Sequence, residues 1–441
     1  MALLMSAVVR GTAAPASVSP GPHDTSTWIG SNYTPAYAAN QVQMWHDFRP
    51  EVIERELAAA SRQFGLNTVR VYLHYPNYRE EKELFVQRIE QFLTICQKHG
   101  VRPGFTFFDD CWNHKDITLE TPPPVDGRHN GRWAAVQDID RKDENLAFFK
   151  AYVQDIVRPH AQDKRILWWE VYNEPNRQDR YTQKLCENGY RWIKELAPAQ
   201  PVICCWSDNP ETEIVNAHSY DADFGPGGGW DRQADANPAK GAVFTEAGAR
   251  WYAGKPASNG SPTEVMRWLR RRRAEGKTTP GVYLCWELMV GNSHCRWYWG
   301  TADGAPEPPI PWCGLLWPDG TPVSYAEAEA VRSYATGEKR ALLAEDFAGA
   351  KAPVQDPAGW KRYQAGAQTS ASRLTLTGQS KLVAGDITWS NYLLETTLML
   401  KSGEGNAGLI FRVNDPGPNP DQMWGYYAGI DRHTLYLGKM N

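Results

Sequence analysis

Eight strand-like segments recur between Thr27 and Gly337, most of them followed by a helix-like segment, and few folds accommodate that pattern. Residues 29–32 form a short first strand. Apolar positions Val52, Ile53, Leu57, Ala60 and Phe64 recur at helical spacing over 49–64, and Gly65 stops the run. A β-branched strand follows over 68–73. Phe85, Ile89, Phe92, Leu93 and Cys96 give a helix over 81–99, closed by Gly100. Further strands are predicted over 101–108, 166–173, 201–206, 213–218, 242–246 and 281–286. Helices are predicted over 145–157, 181–196, 262–275 and 325–334. The stretches 109–138 and 221–240 read as loops, and the basic run 270–273 as a solvated helix face. Eight strands, six of them followed by a predicted helix, predict an α/β chain, a (β/α)8 barrel. A doubly wound sheet would alternate too, but residues 27–337 carry no Gly-x-Gly-x-x-Gly phosphate turn.

The pattern changes after Gly337. Short strands separated by Asn, Gly, Ser and Asp turns are predicted over 374–376, 381–384, 392–400, 407–413, 426–430 and 434–437. They predict a small all-β, sandwich-like module. The expected division is a tail or weak signal over 1–26, a catalytic barrel over 27–340, and the β module over 344–441. The module is about 95 residues long and ends on a strand-like segment, as a truncated sandwich would.

Composition narrows the function. A net charge of −4 suggests no nucleic-acid or anionic-membrane partner. No run of about 18 apolar residues spans a membrane. The apolar piece 2–9 is cut short by Arg10; read as a weak signal it leans towards a secreted or periplasmic location. Among the eight cysteines, adjacent Cys204 and Cys205 read as small buried hydrophobes, while Cys295 and Cys313 form a candidate pair. No Cys-x-x-Cys or Cys/His spacing implies a metal, and no cofactor is implied. The 19 Trp and 20 Tyr suit a carbohydrate partner, because indole faces pack the C–H faces of sugar rings, although many must be core.

The chemistry concentrates at two strand ends. Trp168-Trp169-Glu170-Val171-Tyr172-Asn173-Glu174-Pro175 is an apolar strand that ends on an amide and a carboxylic acid before proline stops it. Glu246 follows 72 residues later, at the end of Ala242-Val243-Phe244-Thr245. Paired carboxylates on separate strand ends are what cleavage of a glycosidic bond requires. Glu174 is the candidate general acid, which calls for a raised pKa, and Glu246 the candidate nucleophile, which calls for nearby positive charge. Arg70 can supply that charge, since Arg within a β-branched run must be paired. Asn173 can hydrogen-bond a sugar hydroxyl, as can Asp109 and Asp110 after the third strand. His218 and Tyr220 follow the sixth strand and can bond Glu246 or a hydroxyl. Trp286 ends the eighth strand as a candidate subsite floor, with Glu287 beside it as a rival carboxylate. Trp45, His46, Trp112, His114, Trp251 and Trp297 lie in predicted top-face segments as further sugar contacts.

Arg70, Asn173-Glu174-Pro175, His218-Ser219-Tyr220, Glu246 and Trp286 together resemble glycoside hydrolase clan A, the retaining barrels that include cellulase-like family 5. The resemblance covers roughly residues 27–337. It implies Glu174 as acid/base and Glu246 as nucleophile in a double displacement, with the two carboxyls about 5–5.5 Å apart. The expected function is retaining hydrolysis of a plant or microbial poly- or oligosaccharide. A transglycosylase using the same residues, or a non-catalytic carbohydrate-binding barrel, are the alternatives. The C-terminal module is similar to concanavalin- or laminin-G-like sandwiches in Asp346-Phe347, Ala407-Gly408-Leu409-Ile410-Phe411-Arg412 and Gly425-Tyr426-Tyr427.

Overall fold

The computed structural model describes residues 23–204, 209–250, 260–338, 360–363, 367–370, 373–378, 380–384, 394, 396–401, 405–414 and 423–440. Two compact units divide the chain at residues 339 and 340.

The first unit begins with β1 (Ile29–Asn32), α1 (Gln41–His46) and α2 (Pro50–Ala59). A π turn over Ala60–Phe64 extends α2, and Gly65, at φ 68°, ends it in the left-handed conformation. Next come β2 (Thr68–Tyr72), α3 (Tyr75–Lys98) and β3 (Arg102–Asp109). Helix α3 starts six residues before the expected 81, because Tyr75, Pro76, Asn77 and Tyr78 are buried and begin a turn of their own; non-helical Glu81 marks the joint. There follow α4 (Leu146–His160), β4 (Trp168–Asn173), α5 (Arg180–Lys194) and β5 (Val202–Ile203). Then β6 (Val215–Ser219), α6 (Gly229–Ala234), β7 (Ala242–Ala247), α7 (Pro262–Ala274), β8 (Gly281–Leu284) and α8 (Tyr325–Thr336) complete the unit. Helix α6 falls inside the stretch expected to be loop. Its Trp230 stacks on Phe244 at 4.9 Å, so tertiary packing supplies what the Gly-rich sequence lacks.

The eight strands are parallel and lie in the order β5-β4-β3-β2-β1-β8-β7-β6. Strand β1 joins β8 as well as β2, so the sheet wraps round into a nearly closed (β/α)8 barrel. Alternation along β4 sorts its side chains. Trp169 and Val171 join the large core under the helices, whereas Trp168 packs inside with Leu167, Ile203, Ile214, Val243 and Tyr283. Strand β3 leaves room for the inner indole at Gly104, where an added Cβ would lie 2.0 Å from the Trp168 ring. Above this apolar plug the interior turns polar, with Arg70, Thr106, Glu170 and Asn216 all buried.

The basic run is not uniformly solvated. Arg272 is fully buried and bonds Asp231 and Asp235, tying α7 to α6. Cys295 and Cys313 are buried free thiols, so the candidate pair is not formed. Cys205 lies outside the described residues.

The second unit is antiparallel throughout its described strands. Strand β9 (Trp360–Arg362) pairs with β12 (Leu382–Ala384), and β10 (Ala367–Ser370) with β11 (Arg373–Leu376). A meander joins β13 (Ala407–Asn414), β14 (Trp424–Ile430) and β15 (Leu435–Met440). The strand expected over 392–400 is not seen at described residues 394 and 396–400, and Asp346-Phe347 lies outside them.

Candidate active site

Strand β4 delivers Asn173 to the C-terminal end of the barrel, and Glu174 follows at φ 40°. A non-glycine residue in the left-handed region is strained and is tolerated where its surroundings fix it. Strand β7 carries a bulge. Ala217 pairs with Phe244, but the next residue, His218, pairs with Glu246, leaving Thr245 as the extra residue. The bulge breaks the alternation that would send Thr245 and Glu246 to opposite faces, and both reach His218.

Arg70 is the hub. Its Nε donates to Glu170 Oε2 at 2.7 Å, and Nη2 to Asn173 Oδ1 at 2.7 Å. Nη1 donates to Asn32 Oδ1 and Glu246 Oε1, both at 3.1 Å. A fully buried guanidinium is tolerable only with such a complete set of acceptors. Tyr220 Oη donates to Glu246 Oε2 at 2.5 Å. His218 Nδ1 lies 2.6 Å from Glu174 Oε1 and 3.5 Å from Glu246 Oε2. One oxygen of each glutamate and a His218 nitrogen all lie within 4.8 Å of one another. The Glu174 side chain is 31% exposed and that of Glu246 6%, so Glu174 is the more open to solvent.

The electrostatics reverse the expected order. Burial pushes Glu174 up, but the His218 hydrogen bond and charge, with help from Cys111 and Arg70, outweigh it and hold the carboxyl down at about 2. Burial raises Glu246, and the Glu174 charge adds to this against the opposing pull of His218, Arg70 and Tyr220. Burial lowers His218, but the two carboxylates prevail and raise it. With a guanidinium already against Glu246 and His218 Nδ1 in hydrogen-bond contact with Glu174, this trio has the geometry of a hydrogen-bonded acid–base cluster. A second such trio among the described residues, Glu90, His160 and Asp163, is occupied by Arg165, which bonds both carboxylates.

The remaining candidates separate sharply. Asp109 is buried and accepts from Trp133 Nε1 and Asn173 Nδ2, so it orients the amide and has no open face for a sugar. Asp110 is likewise taken up, by Tyr172, Arg141, Thr182 and the Asn176 amide. Trp45 is a core residue, fully buried against Phe85 and Phe92, with its indole N–H on the Tyr72 carbonyl. His46 pairs with Glu81, and His114 with the Val136 carbonyl and Arg141. Trp297 is buried and donates to the Pro306 carbonyl. Trp251 lies outside the described residues. Trp286 is 5% exposed, packed edge-on against Tyr72 and Trp133 with its N–H on the Asn130 amide oxygen, so it is a buried support more than an open floor. Trp112 is 45% exposed, at φ 74°, and leans on His129. Glu287 accepts from Ser293 and touches neither Glu174 nor Arg70. Burial drives it up to about 8.

Several residues had no usable signal in the sequence. Cys111 Sγ donates to Glu174 Oε2 at 3.1 Å. Tyr72 Oη is buried with no hydrogen-bond partner among the described residues. Tyr298, Trp299 and Trp312 line a cavity of about 270 Å³ with His218, Tyr220, Asp221 and Gln233. Glu170 did leave a trace: an acid inside an apolar strand is the natural counterpart of Arg70 inside a β-branched one. A second cavity, of about 360 Å³, lies beside Trp28, Arg102 and Leu167, at the opposite end of the strands from both glutamates.

Residues 27–220 match the family model Cellulase (glycosyl hydrolase family 5). The barrel is that of a glycoside hydrolase. No curated protein matches the chain. Among solved structures, it is similar to the exo-β-1,4-mannosidase Op5Man5 from Opitutaceae bacterium strain TAV5, at 16% identity and TM-score 0.48, over 75% of this chain and 63% of that one. It is also similar to the endo-1,4-β-D-mannanase of Thermotoga petrophila RKU-1, at 14% identity and TM-score 0.44, over 70% of this chain and 99% of that one. The glycoside hydrolase family 5 mannosidase of Rhizomucor miehei matches at 14% identity and TM-score 0.45, over 73% of this chain and 98% of that one.

Proposed function

We propose that the chain hydrolyses β-glycosidic bonds of an oligo- or polysaccharide with retention, Glu246 acting as nucleophile and Glu174 as acid/base. The observation that carries this reading is the closeness of the two carboxylates, within 4.8 Å at their nearest oxygens, at the ends of β4 and β7. Retaining pairs sit about 5–5.5 Å apart and inverting pairs about 6.5–9.5 Å, so oxygens this close support the retaining reading. Glu246 attacks the anomeric carbon while Glu174 protonates the leaving oxygen. Water, deprotonated by Glu174, then releases the sugar from Glu246. Arg70 and Tyr220 hold the Glu246 carboxylate in place and favour its ionised form. Glu287 is the weaker nucleophile candidate, since a carboxyl held near 8 is largely neutral at pH 7.

Glu246→Ala should nearly abolish turnover, and azide should restore it with an inverted glycosyl azide as product, because the small anion attacks the vacated face. Glu174→Ala should keep far more activity on aryl glycosides with good leaving groups than on poor ones, which need protonation. Azide rescue in Glu287→Ala but not in Glu246→Ala would show the nucleophile to be misassigned.

A further inference from the structure

We propose that Thr245, backed by Asn216 and Glu170, is a positioning residue that fixes the tautomer of His218 and so confines a single proton between His218 Nδ1 and Glu174. The proposal rests on reading Glu174 as the acid/base. It follows from counting donors along one chain of hydrogen bonds. Glu170 Oε2 accepts from Arg70 Nε at 2.7 Å and Thr106 Oγ1 at 2.6 Å. Its Oε1 accepts from Asn216 Nδ2 at 2.7 Å, which settles the orientation of that amide. Asn216 Oδ1 therefore faces Thr245 and accepts its hydroxyl proton at 2.5 Å. Thr245 has no second proton to give. Toward His218 Nε2, 3.0 Å away, its oxygen can only accept, so Nε2 carries a hydrogen.

Only two arrangements then fit the 2.6 Å contact between Nδ1 and Glu174 Oε1. Either His218 is an imidazolium donating to a carboxylate, or it is neutral and its bare Nδ1 accepts from protonated Glu174. The two differ by one proton moved along one hydrogen bond, and the net charge is the same. Among the described residues, the charged and titratable groups facing this pair are Arg70 from β2, Asp109 and Cys111 at the end of β3, Tyr220 after β6 and Glu246 from β7. In the open site, water at the part-exposed Glu174 supports the charged arrangement. A sugar that covers Glu174 removes that water, and burial disfavours both charges at once. The proton then moves to Glu174, where the acid role needs it. This accounts for a general acid that is held low in the free site.

The proton count closes over one turnover. Glu174 gives the shared proton to the leaving oxygen as the glycosidic C–O bond breaks and the bond from Glu246 to the anomeric carbon forms. Neutral His218 then presents its Nδ1 lone pair to the new carboxylate, which makes Glu174 a better base toward the incoming water. Deglycosylation returns the proton.

Thr245→Val keeps the shape and removes the acceptor; Thr245→Ser keeps the acceptor. The valine variant should lose about tenfold or more in kcat/KM on aryl glycosides with poor leaving groups, within the 10²–10⁴ a general acid supplies, and little on good ones. The alkaline limb of its pH profile should move to lower pH, and serine should restore both. In the unmodified protein, 15N-histidine NMR, assigned through His218→Gln, should show His218 with Nε2 protonated at every pH where the enzyme is folded. A bare Nε2 overturns the proposal even if the valine variant does not fold. So does a valine variant with unchanged pH profile and leaving-group dependence. If Glu174→Ala itself lacks that dependence, the acid/base reading fails instead.

Discussion

Four buried carboxyl groups in the barrel show how surroundings divide one side-chain chemistry into separate tasks. Glu170 lies against the Arg70 guanidinium and serves as a fixed acceptor. Glu246 shares that guanidinium and faces the site. Glu56, holding Tyr33 Oη and the Ala36 amide, is pushed by burial up to about 7, and Glu287 by burial up to about 8. The last two are neutral structural acids over much of the acid range. A raised folded pKa gives stability that is fully present below the unfolded value of 4.5 and is lost as pH rises through about 8. Glu287→Gln should therefore flatten the fall of Tm between about pH 5 and pH 8 and leave the variant more stable than the parent at the alkaline end. Parallel Tm–pH curves would show that Glu287 does not ionise on unfolding. This division was only half legible in the sequence. Arg70, Glu174, His218, Tyr220 and Glu246 stood at strand ends or broke an apolar run, and they come together. Asp109, Asp110 and Trp45 have the same residue chemistry in equally suggestive positions, but internal partners occupy them, and no local pattern reveals who those partners are.

At the scale of elements, the periodic segments were readable and the irregular ones were not. Strands β2, β3, β4 and β7 follow their predicted runs to within two residues, because buried parallel strands need continuous apolar sequence. Strand β5 is two residues long although its apolar run is longer, and α6 forms from a Gly-rich stretch through Trp230. The β7 bulge, which puts Thr245 and Glu246 on the same imidazole, has no signature in a single sequence. Glycine reads as a breaker, yet Gly104 sits mid-strand, where Trp168 fills the space a side chain would need. Gly104→Ala should destabilise the barrel by about 1–3 kcal/mol, the usual cost of overpacking, in a chemical denaturation experiment. Replacing Trp168 with leucine in the same chain should make the alanine better tolerated. An additive double mutant would mean the clash is relieved by strand movement instead.

At the scale of the molecule, the described residues of the two units differ in how deeply they are buried. The barrel unit has an apolar plug inside, a continuous core under its helices, and all the candidate catalytic groups. Among its described residues the second unit has two- and three-stranded antiparallel sheets, and on β15 Leu435 and Leu437 are each 78% exposed. Exposed apolar residues on an edge strand invite association with another surface. The chain should therefore tolerate loss of residues 344–441 as a catalyst while changing in its colloidal behaviour. The truncated barrel should keep kcat on small aryl glycosides and show a single cooperative unfolding transition, while its solubility, or its retention on insoluble polysaccharide, shifts from that of the full chain. A barrel that remains folded but loses activity on small substrates would mean that the C-terminal unit supplies part of the site. The acid/base pair, the Arg70 hub and the Thr245 relay would then be insufficient on their own.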